Sequence, residues 1–238
     1  MVQTSKSYMI YHDLKLRIES GEFDHYQILP TEKELEAHYS ASRNTVRKAI
    51  RQLNTEGLVY SKRGSANVVL QRLDISDLLI DSGNINRPSK ITNENVTTKL
   101  LSFEKKYIDK SLTKITTFAE GEAYFHVIRL RSIDDEPVMI DNSYFLAKVM
   151  PNLDKKIASK SIYSFLQADP NVKIIGSKLV DRIVAANDLD KKHLNLAENS
   201  SVGLTQNWSY LDTGEIFEYT EIHFSPKNYV RTRYVSQE

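Results

Sequence analysis

LPTEKELEAHYSASRNTVRKAIRQLNTEGLVYSKRGSANVV, residues 29–69, decides the fold of this chain. Two helix starts stand close together in it. Thr31 with Glu34 three residues on makes a capping box, and Ser42 caps a second helix after a short break. In the second helix Val46, Ala49, Ile50 and Leu53 recur at helical spacing along one face, while Arg43, Arg47, Lys48 and Arg51 fall mostly on the other. Gly57 stops it. A short strand around Leu58–Tyr60, a basic turn and a second strand around Val68–Leu70 follow. Helix, turn, basic helix, wing: the pattern predicts a winged helix-turn-helix.

Working outward, a first helix is expected from about Ser7 to Ser20, with Ile10, Leu14 and Ile18 as its buried stripe and Gly21 at its end. After Gln71 the pattern weakens, and DSGNINRPS (81–89) is polar and turn-rich, as in a linker. The second half changes character. Alternating apolar stretches at Ala123–Leu130, Val138–Phe145, Leu204–Leu211 and Ile216–Phe224 predict antiparallel strands, with hairpin turns at Ile133–Pro137 and Leu211–Glu215. Helices are expected at Asn95–Leu101, Ser161–Ala168 and Ala186–Leu194. The expected class is α+β, with residues 1–72 as the DNA-binding domain, 73–89 as linker and 90–238 as a second domain.

Composition narrows the function. At 238 residues, with 40% hydrophobic and 26% charged residues, the chain is an ordinary globular protein long enough for two cores. No apolar run approaches the ~20 residues that span a bilayer, and the first residues lack a signal peptide's apolar stretch. The absence of cysteine excludes disulfides, thiolate chemistry and Cys-ligated metal. A cytoplasmic protein is expected. Net charge is only +1, yet between 42 and 63 six bases face the single acid Glu56. Such a local basic cluster is the electrostatic footprint of a DNA reader.

The major groove admits one helix, and residues near its N-terminal end reach base edges. That geometry assigns roles. Ser42 and the helix N-terminus can meet a phosphate. Arg43 and Arg47, four apart, can each fork onto a guanine. Thr45 offers a hydroxyl or a methyl to a base, and Lys33 is placed to reach phosphate or a flanking base. Lys62, Arg63 and Gly64 form the wing tip, whose glycine lets the backbone approach the sugar-phosphate chain. Any one of these bases could belong to a solvated helix face; caps, spacing, wing and charge agreeing over forty residues favour DNA.

Residues 8–70 resemble the N-terminal domain of the GntR family of bacterial transcription regulators. The family opens this stretch with Leu-Pro-Ser-Glu-Arg-Glu-Leu, continues with Ser-Arg-x-Thr-Val-Arg and closes with Leu-x-x-x-Gly-Leu. Carried over position by position, the resemblance implies DNA contacts from Lys33 (where the family prefers Arg), Ser42, Arg43, Thr45, Arg47 and Gly64. Ala66 and Val68 stand where the family carries a second wing glycine and an aromatic.

Three further strings resemble the UTRA domain of the HutC branch of that family: YFHVIRLRSIDDEPVMIDNSYF (124–145), SKSIYSFL (159–166) and GEIFEYTEIHFSPKNY (214–229). The resemblance implies a chorismate-lyase-like fold, a mostly antiparallel sheet flanked by helices. From the residues alone, Arg129 and Arg131 are two apart on an apolar strand and share a face. Buried guanidiniums need anionic partners. Those partners are either structural carboxylates such as Asp141 or Glu218, or a bound anion. Ser161, at a helix start, adds a hydroxyl and free N–H groups that favour phosphate or carboxylate.

UTRA domains bind small metabolites, and several respond to sugar phosphates. That resemblance implies Arg129, Arg131, Ser161 and Tyr163, with Ser89, around the anionic end of an effector. Asp141, standing where Glu is expected, Glu218 and Tyr229 would then face hydroxyls. No cofactor, metal or catalytic residue is expected, since phosphate-cradling glycine motifs are missing and the six histidines lack ligand spacing. The expectation is a homodimer that binds an inverted repeat of double-stranded DNA and responds to a small anionic effector. A non-phosphorylated sugar, an amino-acid derivative or a fatty acid is the alternative ligand, and a lyase-like activity the enzymatic alternative.

Overall fold

The structure is a computed structural model that describes residues 5–62, 66–71, 96–231 and 234–235. Two compact units divide the chain: residues 5–71 with Tyr234 and Val235, and residues 96–231.

The first unit begins with α1 (Lys6–Glu19), capped by Ser5, with Ile10, Tyr11, Leu14 and Ile18 buried. The capping box forms as expected at the start of α2 (Glu32–Tyr39): the Glu34 amide donates to Thr31 Oγ1 at 3.3 Å and the Thr31 amide donates to Glu34 Oε2 at 2.7 Å. Ser40 takes a left-handed conformation to turn the chain, and Ser42 then caps α3 (Arg43–Thr55). Its buried face is Val46, Ala49, Ile50 and Leu53, the stripe read from the sequence. With Leu29, Leu35, Val59 and Val69 these side chains close one core. Leu14 and Leu53 are fully enclosed, and such burial contributes about 1.5–3 kcal/mol each.

The wing strands are β1 (Val59–Lys62) and β2 (Ala66–Val69), displaced by one or two residues from their expected places. Gly57, at φ +69°, ends the α3 turn, and the Tyr234 ring lies against it; a methyl group there would stand 2.7 Å from that ring.

The second unit is built on a six-stranded sheet, every pair antiparallel, in the order β3-β4-β5-β8-β7-β6. Its strands are β3 (Val96–Tyr107), β4 (Ala123–Ile133), β5 (Glu136–Leu146), β6 (Ile174–Ala185), β7 (Ser201–Leu211) and β8 (Ile216–Phe224). Asp134 and Asp135, both at positive φ, make the tight β4–β5 turn. Helices α5 (Lys155–Ala158) and α6 (Ile162–Ala168) pack on one face against Phe125, Val127 and Phe145. The opposite face carries α4 (Lys110–Thr116) near Tyr124 and Tyr144, and α7 (Asp188–His193) near Ile128 and Ile140.

One expectation is corrected. The helix expected over Asn95–Leu101 is instead the start of β3, which pairs along β4 from Val96 to Tyr107. The β-branched run Val96-Thr97-Thr98 loses rotamer freedom in a helix and suits a strand. β6, α4 and α5 were not anticipated from the sequence.

Candidate DNA interface and effector site

The proposed DNA-facing residues gather at the N-terminal end of α3. The Ser42 hydroxyl accepts from the Thr45 amide and lies 2.8 Å from Thr45 Oγ1, fixing the first turn. Arg43 and Arg47 are exposed, as is Lys33 on the neighbouring helix. Glu32 joins the two arginines: its carboxylate accepts from Arg43 Nε at 3.0 Å and from Arg47 Nε at 2.9 Å. Partial burial works against the Glu32 charge, but the two guanidiniums outweigh it and hold the carboxyl below its ordinary range. Because each arginine spends Nε on Glu32, its terminal nitrogens are left for the bidentate fork that reads guanine. Lys62 ends β1, while Arg63 and Gly64 lie outside the described residues.

The second site is built from rows across the sheet. Strand register places Arg129, Asp141, Ile222, Thr205 and Asp181 side by side. The next row is Val127, Ser143, Thr220, Asn207 and Leu179, and the third is Phe125, Phe145, Glu218, Ser209 and Ser177. Neighbours within a row stand about 5 Å apart on one face. Asp141, Ser143, Thr205, Asn207, Ser209, Glu218 and Thr220 are all buried, so the middle of this face is polar.

Arg129 Nη2 donates to Asp141 Oδ2 at 2.9 Å, and both side chains are nearly enclosed. Arg131, two residues along the same face, makes no ion pair among the described residues. The Nε atoms of both arginines and Asn207 Oδ1 are buried without a hydrogen-bond partner, which marks a face built to receive polar groups.

From α6, Tyr163 donates to Glu218 and lies 3.1 Å from Ser209 Oγ. Thr220 donates to Glu218 at 2.8 Å. Burial pushes the Glu218 carboxyl above its usual range despite these donors. Burial, reinforced by Glu218, raises the Tyr163 hydroxyl well above its ordinary value.

The structure thus brings together Arg129, Asp141, Tyr163 and Glu218. Ser161 caps α6 and accepts from the Ser164 amide at 3.1 Å, at an exposed position. Tyr229 packs on Phe224 and against Gly203, where no side chain would fit, and Arg231 lies over its ring. Ser89 lies outside the described residues. Sequence reading missed Ser143, Thr205, Asn207, Ser209 and Thr220. They share alternate positions of β5, β7 and β8, but their neighbours include Asn142, Gln206 and Glu221, so no alternation in the sequence set them apart.

Comparison with known proteins agrees with both halves. Residues 6–69 match the model of bacterial regulatory proteins of the gntR family, and residues 92–230 match the UTRA domain. The chain is 30% identical over 222 residues to the HTH-type transcriptional regulator TreR of Bacillus subtilis, covering 92% of each protein. It is 24% identical to the mannosyl-D-glycerate transport/metabolism system repressor MngR of Escherichia coli, covering 91% of this chain and 90% of that one. In fold it is similar to YydK, described as a possible transcriptional regulator of Bacillus subtilis, with a TM-score of 0.74 at 20% identity over 99% of this chain and all of that one. The capped basic helix, the wing strands and the helix-flanked antiparallel sheet are therefore those of a DNA-binding regulator rather than an enzyme, and the chain belongs to the GntR family, in its HutC-like branch with a UTRA effector-binding domain.

Proposed function

We propose that this protein is a homodimeric repressor, acting in the cytoplasm, that binds an inverted-repeat operator of a sugar-uptake or sugar-catabolic operon and responds to a sugar phosphate. The observation that carries the effector assignment is the unmet hydrogen-bonding capacity of two guanidiniums on the polar sheet face: Arg129 pairs with Asp141, Arg131 has no ion-pair partner among the described residues, and both leave a buried Nε without an acceptor. An anionic group would supply acceptors there, and the neutral row of Ser143, Thr220 and Asn207 suits the hydroxyls of a sugar. MngR, a transport and metabolism repressor, supports a sugar-linked role.

Two-fold symmetry would set a pair of α3 helices on successive major-groove faces, about 34–36 Å apart. An effector shifts such an arrangement only by binding one state more tightly than the other. The experiment is a mobility-shift titration of the protein on its own upstream DNA, with and without a panel of sugar phosphates. Retardation that one sugar phosphate reverses supports the reading; no retardation at low salt on any nearby palindrome overturns it.

The hydroxyl-suited row also favours a second reading, an uncharged sugar. Calorimetry against a sugar and its phosphate separates the two. Equal affinities would remove the anion from the assignment.

A further inference from the structure

In the first turn of α3 the middle of the outward face belongs to Asn44. The buried stripe of the helix is Val46, Ala49, Ile50 and Leu53. At about 100° per residue, the direction opposite that stripe falls within about 10° of Asn44, whereas Arg47 stands about 70° and Arg43 about 110° away from it. Lys48 and Arg51 lie closer to that direction, each about 30° from it, but one and two turns further along.

The other residues of the first turn are already engaged. Arg43 donates through Nε to Glu32 at 3.0 Å, Thr45 Oγ1 lies 2.8 Å from Ser42 Oγ, and Val46 is in the core. Asn44 is exposed, and its carboxamide has no hydrogen-bond partner among the described residues. The second asparagine of α3 shows the contrast: Asn54 donates to Ser61 Oγ at 2.8 Å and ties the helix to the wing.

We infer that Asn44 reads an adenine of the operator through the major groove, its carbonyl oxygen accepting from N6 and its amide donating to N7. A carboxamide offers one acceptor beside one donor. Adenine presents the complementary donor and acceptor side by side, while guanine presents two acceptors, cytosine a lone donor and thymine an acceptor beside a methyl. Reach points to the same residue. An asparagine is short, so it forks onto a base only from the middle of the helix face near its N-terminal end, whereas the longer arginines can reach guanine from the flank where Glu32 holds them. The inference rests on the recognition-helix reading above and deepens it. The Ser-Arg-x-Thr-Val-Arg pattern leaves the position of Asn44 open, so this side chain gives the chain a base preference that the shared arginines do not supply.

The test is selection of binding sites from a random duplex library by the full-length protein, repeated with Asn44→Ala. The wild type is expected to enrich guanines together with an adenine at one fixed position beside them. Asn44→Ala is expected to enrich the same guanines with that position open. On the selected duplex, guanine in place of that adenine is expected to weaken the wild type about 5- to 100-fold and to leave Asn44→Ala unchanged. Substitution by 7-deazaadenine, which lacks the N7 acceptor, is expected to cost the wild type about 3- to 10-fold and the variant nothing. An Asn44→Ala protein that still selects the adenine overturns the assignment. So does a loss of affinity that is equal on every duplex, since a phosphate contact or a structural role would produce it. A wild type that enriches no motif overturns the recognition-helix reading itself, and this inference with it.

Discussion

Glu32 and Arg47 are joined by a two-point contact, Arg47 Nε lying 2.9 Å and 3.0 Å from the two carboxylate oxygens, and the same carboxylate takes Arg43 Nε at 3.0 Å. One acid on α2 therefore orients two long side chains of α3 before DNA arrives. Surface ion pairs add little to stability. The value of this one lies in side-chain order.

Glu32→Ala is expected to separate specific from non-specific binding. Each released arginine must be ordered again on the operator, at about 0.5–1.5 kcal/mol. Loss of a negative charge beside the DNA face should meanwhile strengthen binding to random duplex. Fluorescence anisotropy on operator and scrambled duplexes at matched salt reads both. Parallel changes on the two duplexes would contradict the ordering role.

Arg43→Ala and Arg47→Ala should each lower operator discrimination by about 1–3 kcal/mol and leave effector affinity unchanged. Competition binding against single-base operator variants, with calorimetry for the effector, checks both halves.

Arg129 and Arg131 should behave differently although they share a strand face. Arg129→Met leaves Asp141 buried without its partner, and breaking such a pair costs about 3–5 kcal/mol. Arg131→Met removes a guanidinium whose Nε is unpaired and should leave the melting temperature close to wild type. It should nevertheless hold the operator when inducer is added. A normal inducer response from a folded Arg131→Met protein would take Arg131 out of the effector site.

Glu218→Gln tests the buried carboxyl through pH. Burial raises its folded value above the ordinary 4.5, so the folded protein binds this proton more tightly than the unfolded chain. The stabilising contribution is whole below the unfolded value and is lost as pH rises through the folded one. Glutamine keeps an acceptor for Tyr163 and carries no charge. The variant should melt near wild type at pH 4 and higher than wild type at pH 8, by roughly 2–4 °C per kcal/mol. Thermal unfolding followed by circular dichroism at both values decides it, and a gain that does not grow with pH would contradict the assignment.

The head was legible because its signals are local. Thr31 and Ser42 cap helices through atoms three residues away, and α3 repeats its apolar residues at one period. The sheet was legible where bulky apolar residues recur along a strand, as in β4, β5, β7 and β8. β6 escaped because an edge exposed on both faces has no alternation to read. β3 was read as a helix over a short apolar window, where pairing with β4 settled the outcome instead. Arg129 and Glu218 could be picked out as charges among apolar neighbours, but whether Arg129 would meet Asp141 depends on register. Asn207 and Thr205 carried no such mark, since neutral polar residues are common on any strand.

The ring of Tyr234 against Gly57 changes how the chain should be cut. By packing, Tyr234 belongs with the DNA-reading unit, although the whole effector-binding unit precedes it in sequence. The architecture is thus an insertion rather than a tandem: the polypeptide leaves the reading unit, builds the sensor and comes back for its last turn of packing. A head expressed from its N-terminal segment alone would lack that aromatic ring, and a domain swap made at one junction would strand it on the wrong partner. Chimeras that graft this head onto another sensor need two splice points.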